Sequence, residues 1–345
     1  MKLLRFYLFL LLLISIPTDS IAMLVEDNAV FSRIIDTGAG LASVTRMPGD
    51  FYMIYDAGHW TGVDETMQAI ASIVPANSEI DLMILSHSDS DHIGAVKKIL
   101  EKYTVKKIIR GGLERNSATW KKVDASITAA ANTKNTQVIN LKYNKIKPGT
   151  EFDYGDTRIT FVAGFYRPPE SWNISGKNSA ESRNAGSIVI RLSYKGKSIL
   201  FTGDAVGRER GAPENTLIAT EKYLVKNKHI TRIDADVLIA PHHGADNGNS
   251  SAFIAAVHPK WVIFSAGHKH CHPTQVTAQR YLNAGVKLSN MFRTDYGDDE
   301  SKRRCKIVEW DYKRVTMHSD KAHDDDIDIR IQADGYISVE YRNQQ

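Results

Sequence analysis

The stretch Ser86-His87-Ser88-Asp89-Ser90-Asp91-His92-Ile93-Gly94 places two imidazoles and two carboxylates on one short turn. Such groups are ligands for Zn²⁺, Mn²⁺ or Fe, and a site with an open coordination position activates water for hydrolysis. Alternate spacing lets His87, Asp89 and Asp91 reach toward a common point, and the adjacent His92 supplies a second direction. A second cluster, Pro241-His242-His243-Gly244, follows the apolar run 236–240 and points a pair of imidazoles from a strand end. One imidazole of that pair is expected to bind metal directly. His242, immediately after the proline, is the expected ligand, with His243 supporting it or touching substrate. A third cluster, Gly267-His268-Lys269-His270-Cys271-His272-Pro273, reads as a proline-ended loop above a crevice. Its His272 and Lys269 are candidates to hold phosphate oxygens or to protonate a leaving group.

These clusters need elements to hold them. The apolar run 80–85 predicts a buried strand entering the first turn, and 95–103 predicts a helix leaving it. Upstream, 31–36, 41–46 and 51–55 read as short strands separated by Gly38-Ala39-Gly40 and Pro48-Gly49-Asp50. The glycines lack the spacing of a nucleotide-binding loop and read as a tight turn. Downstream strands are expected at 105–110, 137–141, 157–163, 187–194, 197–201, 236–240 and 261–264. Helices are expected at 61–74, 118–132, 213–226, around 252–257, and at 274–284. Strands alternating with helices argue for a layered α/β protein. The stretch 164–184 breaks the pattern; its Phe165, Tyr166, Trp172 and Arg183 are read either as a substrate clamp or as surface packing. His59, close in sequence to the site, reads either as a residue of the site mouth or as a surface histidine, and Asp324-Asp325-Asp326 reads as a solvated loop. The segment 305–341 has period-two patterning with a hairpin turn at Asp334-Gly335, and is expected to complete a sheet.

Of 345 residues, 42% are hydrophobic and 24% charged, which excludes a disordered or fibrous chain. A net charge of +4 permits a polyanionic substrate without establishing one. Residues 1–22 read as a signal peptide: Lys2 and Arg5 precede an apolar core at 6–16, and Ser20-Ile21-Ala22 offers small residues at a cleavage site. The core is short for a membrane span, and no cysteine follows it for a lipid anchor. The expectation is an exported protein, periplasmic or secreted, without stable membrane insertion once the signal is removed. Residues 23–345 would then form one hydrolase domain with a β-rich extension from about residue 300. Cys271 and Cys305, the only cysteines, lack zinc-pair spacing and are candidates for one disulfide.

The turn at 87–92 resembles the H-x-H-x-D-H signature of the metallo-β-lactamase superfamily, with Asp89 where the second histidine usually stands. In order along the chain come Ile35-Asp36-Thr37-Gly38-Ala39-Gly40, Tyr55-Asp56-Ala57-Gly58, the metal turn, Thr202-Gly203-Asp204, Pro241-His242-His243-Gly244, His272-Pro273 and Arg293-Thr294-Asp295. This order is similar to the metallo-hydrolase domain of the ComEC-type DNA-uptake competence proteins. The resemblance implies an αββα sandwich with metals at one edge between two sheets. It implies that Asp56 braces the metal turn and that Asp204 bridges two ions. One metal position would be Asp91, His92, His242 and Asp204. The other would be His87, Asp89 and Asp204, and it lacks a ligand because Ser182-Arg183-Asn184-Ala185-Gly186-Ser187 stands where a third-motif histidine is usual. Asp89 makes that position harder and more favourable to Mn²⁺ or Mg²⁺ than to Zn²⁺.

The resemblance further implies a phosphodiesterase or nuclease acting on DNA or another phosphodiester, with one or two divalent ions, Zn²⁺ or Mn²⁺. Asp91 or Asp204 would orient the attacking hydroxide, and His243, His272 or Lys269 would steady developing charge. The resemblance covers the hydrolase domain and not the channel, so hydrolysis and not transport is the expectation it carries. The competing functions are an amide, ester or lactone hydrolase of β-lactamase type and a non-catalytic metal- or nucleic-acid-binding module.

Overall fold

The computed structural model describes residues 28–174, 179–267, 270–296 and 325–342. The expected signal peptide, residues 1–22, lies outside the described residues. In chain order the strands are β1 Val30–Ile34, β2 Ala42–Met47, β3 Phe51–Ala57, β4 Ile80–Leu85, β5 Val105–Arg110, β6 Gln137–Asn140, β7 Glu151–Tyr154, β8 Thr157–Ala163, β9 Val189–Tyr194, β10 Lys197–Phe201, β11 Val237–Ile239, β12 Trp261–Phe264, β13 Met291–Arg293, β14 Ile327–Ile331 and β15 Ile337–Tyr341. The helices are α1 Val63–Ala71, α2 Val96–Lys102, α3 Ala118–Thr133, α4 Ala180–Ala185, α5 Ala219–Lys226, α6 Ser251–Val257 and α7 Gln275–Asn283.

The strands form two sheets, ordered β15-β14-β1-β2-β3-β4-β5-β6 and β13-β12-β11-β10-β9-β8-β7. Period-two side-chain alternation decides what each face meets. Met53, Tyr55, Leu82 and Ile84 point inward against Ile188, Ile190, Phe201 and Ile239 of the second sheet. Their neighbours Tyr52, Ile54, Met83 and Leu85 point outward, beneath Ile70 of α1, Val96 and Ile99 of α2, and Trp120 and Ile127 of α3. On the far side Leu224, Phe253, Ile254 and Tyr281 of α5, α6 and α7 cover Leu200, Leu238 and Val262. Because β4 is covered on both faces, its sequence is a continuous apolar run broken only by Asp81. The result is an αββα sandwich. Tyr55 Oη spans it, donating to the Ile188 carbonyl at 2.6 Å, and burial pushes that phenol well above its usual pKa.

Two expectations are corrected. The helix expected at 213–226 begins only at Ala219, because Ala219 takes a positive φ of 47°, which a continuing helix does not carry. The acidic run is not a solvated loop: Asp325 and Asp326 are buried, and Asp326 accepts from the Asp36 amide and from Arg342. Asp324 lies outside the described residues. The C-terminal segment does complete a sheet, since β14 and β15 pair antiparallel and β14 adds to the edge at β1.

Helix α5 also fixes the loop preceding α6. Glu221, fully buried, accepts from the amides of Asn249 at 2.5 Å and Ser250 at 2.9 Å. Burial raises its pKa to about 7 despite those bonds. A carboxyl whose folded pKa lies above its unfolded value loses stabilisation as pH rises from the unfolded pKa to the folded one. Stability should therefore fall by about 3 kcal/mol between pH 4.5 and 7 from this group alone. Urea melts of wild type and Glu221→Gln across that range should show the gap between them narrowing by that amount in favour of the variant. A pH-independent gap would contradict the assignment.

Candidate metal centre

The parallel pairs β3–β4 and β10–β11–β12 bring their C-terminal ends to one edge of the sandwich, and every loop of interest leaves from there. Asp56 ends β3 with a φ of 56°. Its carboxylate accepts from the Ser86 amide and hydroxyl, both at 2.7 Å, and meets His92 Nδ1 at 2.7 Å. This fixes His92 as a ring that presents only Nε2 inward. Gly203 turns the chain after β10 with a φ of 52°; a Cβ there would lie 2.7 Å from Ser86 Cβ. The turn delivers Asp204, whose amide bonds Ser187 Oγ at 3.1 Å.

Asp204 is the hub. Its Oδ1 lies 3.1 Å from His92 Nε2 and 3.5 Å from His243 Nε2. Its Oδ2 lies 3.6 Å from His242 Nε2 and 3.8 Å from His87 Nε2. Asp91 Oδ2 stands 3.7 Å from His243 Nε2, and the Nε2 atoms of His92 and His243 are 3.3 Å apart. His87 Nε2 and Asp204 Oδ1 are buried without a hydrogen-bond partner among the described residues. Buried polar atoms are rarely left so. Nitrogen and oxygen donors converging with unpaired, inward-facing atoms are what a divalent cation satisfies, so these residues fit a metal. Burial disfavours the charged form of Asp204, but His92, His243 and His242 outweigh it and hold the carboxyl well below its ordinary range. Burial also opposes protonation of His92, yet Asp204 and Asp56 raise it well above the usual imidazole value.

The structure departs from the sequence reading at three site residues. His243, not His242, joins Asp91 and His92 within ligating reach of one another. The cause is backbone: His242 and His243 are both left-handed, at φ 48° and 56°, and the turn sets their rings nearly edge to face on opposite oxygens of Asp204. His243 Nδ1 is held by the Ser265 carbonyl at 2.6 Å, while His242 is held by Asn247 at 2.7 Å and by Asn184 at 3.3 Å. Asp89 does not turn to the cluster. Arg183 Nε bonds its Oδ1, and Arg183 Nη2 lies 3.3 Å from its Oδ2. His59, read as either a site-mouth or a surface residue, is buried on the cavity wall and bonds Thr61 Oγ1 at 2.6 Å. The aromatics of 164–184 divide too: Phe165 packs edge-on against Trp172 and Tyr223, so those rings are packing rather than a substrate clamp.

The cluster opens into a cavity of ≈ 670 Å³ whose walls include Asp91, His242, Arg115, Arg210, His270 and His272. Burial, then His243 and His242, push His272 down to about 3, so near neutral pH it offers an uncharged imidazole. Lys269 lies outside the described residues. Cys271 is disulfide-bonded; Cys305 lies outside the described residues. Arg183, Asn184 and Ser265, which hold site residues, carry no motif of their own. The hints were that Arg183 was a candidate clamp residue and that Arg183 and Asn184 stand where a histidine was expected.

The strand-end cluster on this fold is of metallo-hydrolase type, and residues 35–169 match the family model described as the metallo-beta-lactamase superfamily. Within that class it resembles the competence proteins. It is 25% identical over 278 residues to competence protein ComA of Neisseria gonorrhoeae, covering 79% of this chain and 32% of that one. It is 26% identical over 219 residues to ComE operon protein 3 of Bacillus subtilis (strain 168), covering 63% and 24%. The chain thus spans a third or less of the length of these curated relatives. A solved metallo hydrolase from Ignicoccus hospitalis aligns at 13% identity and a TM-score of 0.41, over 74% of this chain and 93% of that one. No helix among the described residues is long and apolar enough to cross a membrane.

Proposed function

We propose that the chain is an exported, metal-dependent phosphodiesterase whose substrate is DNA or another phosphodiester. The observation that supports it most is the Asp204 carboxylate, which meets imidazoles on both oxygens at the floor of a cavity that also presents Arg115 and Arg210. Asp91, His92, His243 and Asp204 would hold a divalent ion, Mn²⁺ or Zn²⁺, which when bound would supply Lewis acidity and lower the pKa of a water. The protein supplies the rest. Asp91, with a side chain 26% exposed at the cavity wall, orients the attacking water. Arg115 and Arg210 offer planar cations to non-bridging phosphate oxygens. His272 lies beside His242, with ring centroids 5.9 Å apart, and gives the leaving oxygen a hydrogen-bond partner. Lys269 remains a proposed phosphate contact. The Neisseria relative is a competence protein, which favours a nucleic-acid substrate; export rests on residues 1–22.

The test is a panel of bis-p-nitrophenyl phosphate, plasmid DNA and nitrocefin, each with chelator-treated protein resupplied with Mn²⁺ or Zn²⁺. Turnover of the first two and none of nitrocefin is expected. Nitrocefin hydrolysis without phosphodiester cleavage would replace this reading with the β-lactamase-type one.

A further inference from the structure

Two groups of side chains come within ligating reach: His87, His92 and Asp204, and Asp91, His92 and His243. Both need His92. Its Nδ1 is committed to Asp56 at 2.7 Å, which leaves one ring nitrogen. One nitrogen lone pair serves one ion, so the two groups are alternatives and not two halves of a filled pair.

The donors on the two sides of Asp204 are unequal. On the Oδ1 side stand Asp91, His92 and His243. On the Oδ2 side stands His87, with His242 already engaged at both ring nitrogens by Asn247 and Asn184. The carboxylate that would complete this side, Asp89, is held by the Arg183 fork, and Arg115 Nη1 is 3.9 Å from the same Oδ1. Both members of the pair are buried, Asp89 at 8% exposure and Arg183 at 7%. Turning Asp89 to an ion would break a buried guanidinium–carboxylate pair, which is strongly unfavourable.

We propose that the centre holds a single divalent ion, on Asp91, His92, His243 and Oδ1 of Asp204, and that Arg183, locked on Asp89, is a built-in cation in place of a second ion. This rests on the metallo-hydrolase reading above. Asp89 is then a positioning residue: it holds Arg183, and with it α4, against the metal turn. The positive charge that balances Asp89 is a side chain that no chelator removes.

The experiment uses the full chain, treated with chelator and titrated with Mn²⁺. Metal content after dialysis and the Mn²⁺ electron paramagnetic resonance spectrum are the readouts. One ion per chain and the six-line spectrum of an isolated Mn²⁺ are expected. Two ions per chain, or the signal of an exchange-coupled pair, would overturn the proposal. The second arm is Asp89→Asn/Arg183→Met, which removes both charges together so that neither is left buried alone; its thermal melt confirms folding. It should keep one ion, with Mn²⁺ affinity reduced by no more than the ~10–100-fold typical of residues that only orient ligands. Loss of the ion from this folded variant would make Asp89 a ligand and overturn the proposal. Protein that binds neither Mn²⁺ nor Zn²⁺ would bring down the metallo-hydrolase reading itself, whereas two ions with intact phosphodiester turnover would bring down only the single-ion inference.

Discussion

Asp204→Ala should strip the protein of its ion and reduce phosphodiester turnover to background. The carboxylate is the one group that touches both sides of the cluster, with imidazoles at 3.1 and 3.5 Å from one oxygen and at 3.6 and 3.8 Å from the other. Removing it deletes a ligand and the counter-charge that balances the surrounding imidazoles. Changing a residue that only orients a ligand costs ~10–100-fold in affinity or activity, so loss of this direct contact should exceed that range. Asp204→Asn keeps the shape without the charge and should lose the ion as well, which separates electrostatics from packing. Full metal content in either variant would remove Asp204 from the centre.

Much of the architecture was legible because it rests on local pattern. The apolar run of β4 and the alternation of β9 gave strands at the right places, and turn residues bounded them. The metal turn was legible for the same reason: it sits directly after β4, and a strand end points its loop at a fixed place. What was not legible depended on groups far apart in sequence. Nothing local says that Asp89 faces Arg183, ninety-four positions on, or that Asp326 accepts from the Asp36 amide at the end of the neighbouring strand. A buried carboxylate and a solvated one look alike until the partner is placed. Which of His242 and His243 comes within reach of Asp91 and His92 was hidden in backbone angles, since both residues are left-handed.

That difference gives the second large effect. His243→Ala should release the ion, with Mn²⁺ affinity falling by more than the ~10–100-fold expected for an orienting residue. His242→Ala should keep the ion and fall within that range, because its ring nitrogens face Asn247 and Asn184 rather than the Asp91–His92 group. The two substitutions remove the same atoms from adjacent positions, so each controls for the other's general damage to the turn. Isothermal titration with Mn²⁺ on both variants decides between them. If His242→Ala loses the ion and His243→Ala retains it, the ligand role returns to the residue after Pro241.

A divalent ion should sit at the strand ends among Asp91, His92, Asp204 and His243. Anomalous diffraction at the manganese edge, from crystals of the full chain grown with Mn²⁺, tests it most directly. One peak bounded by those four side chains, with Asp89 still on Arg183, is the expected result. A peak on the His270–His272 loop, or a second peak between His87 and Asp89, would contradict it.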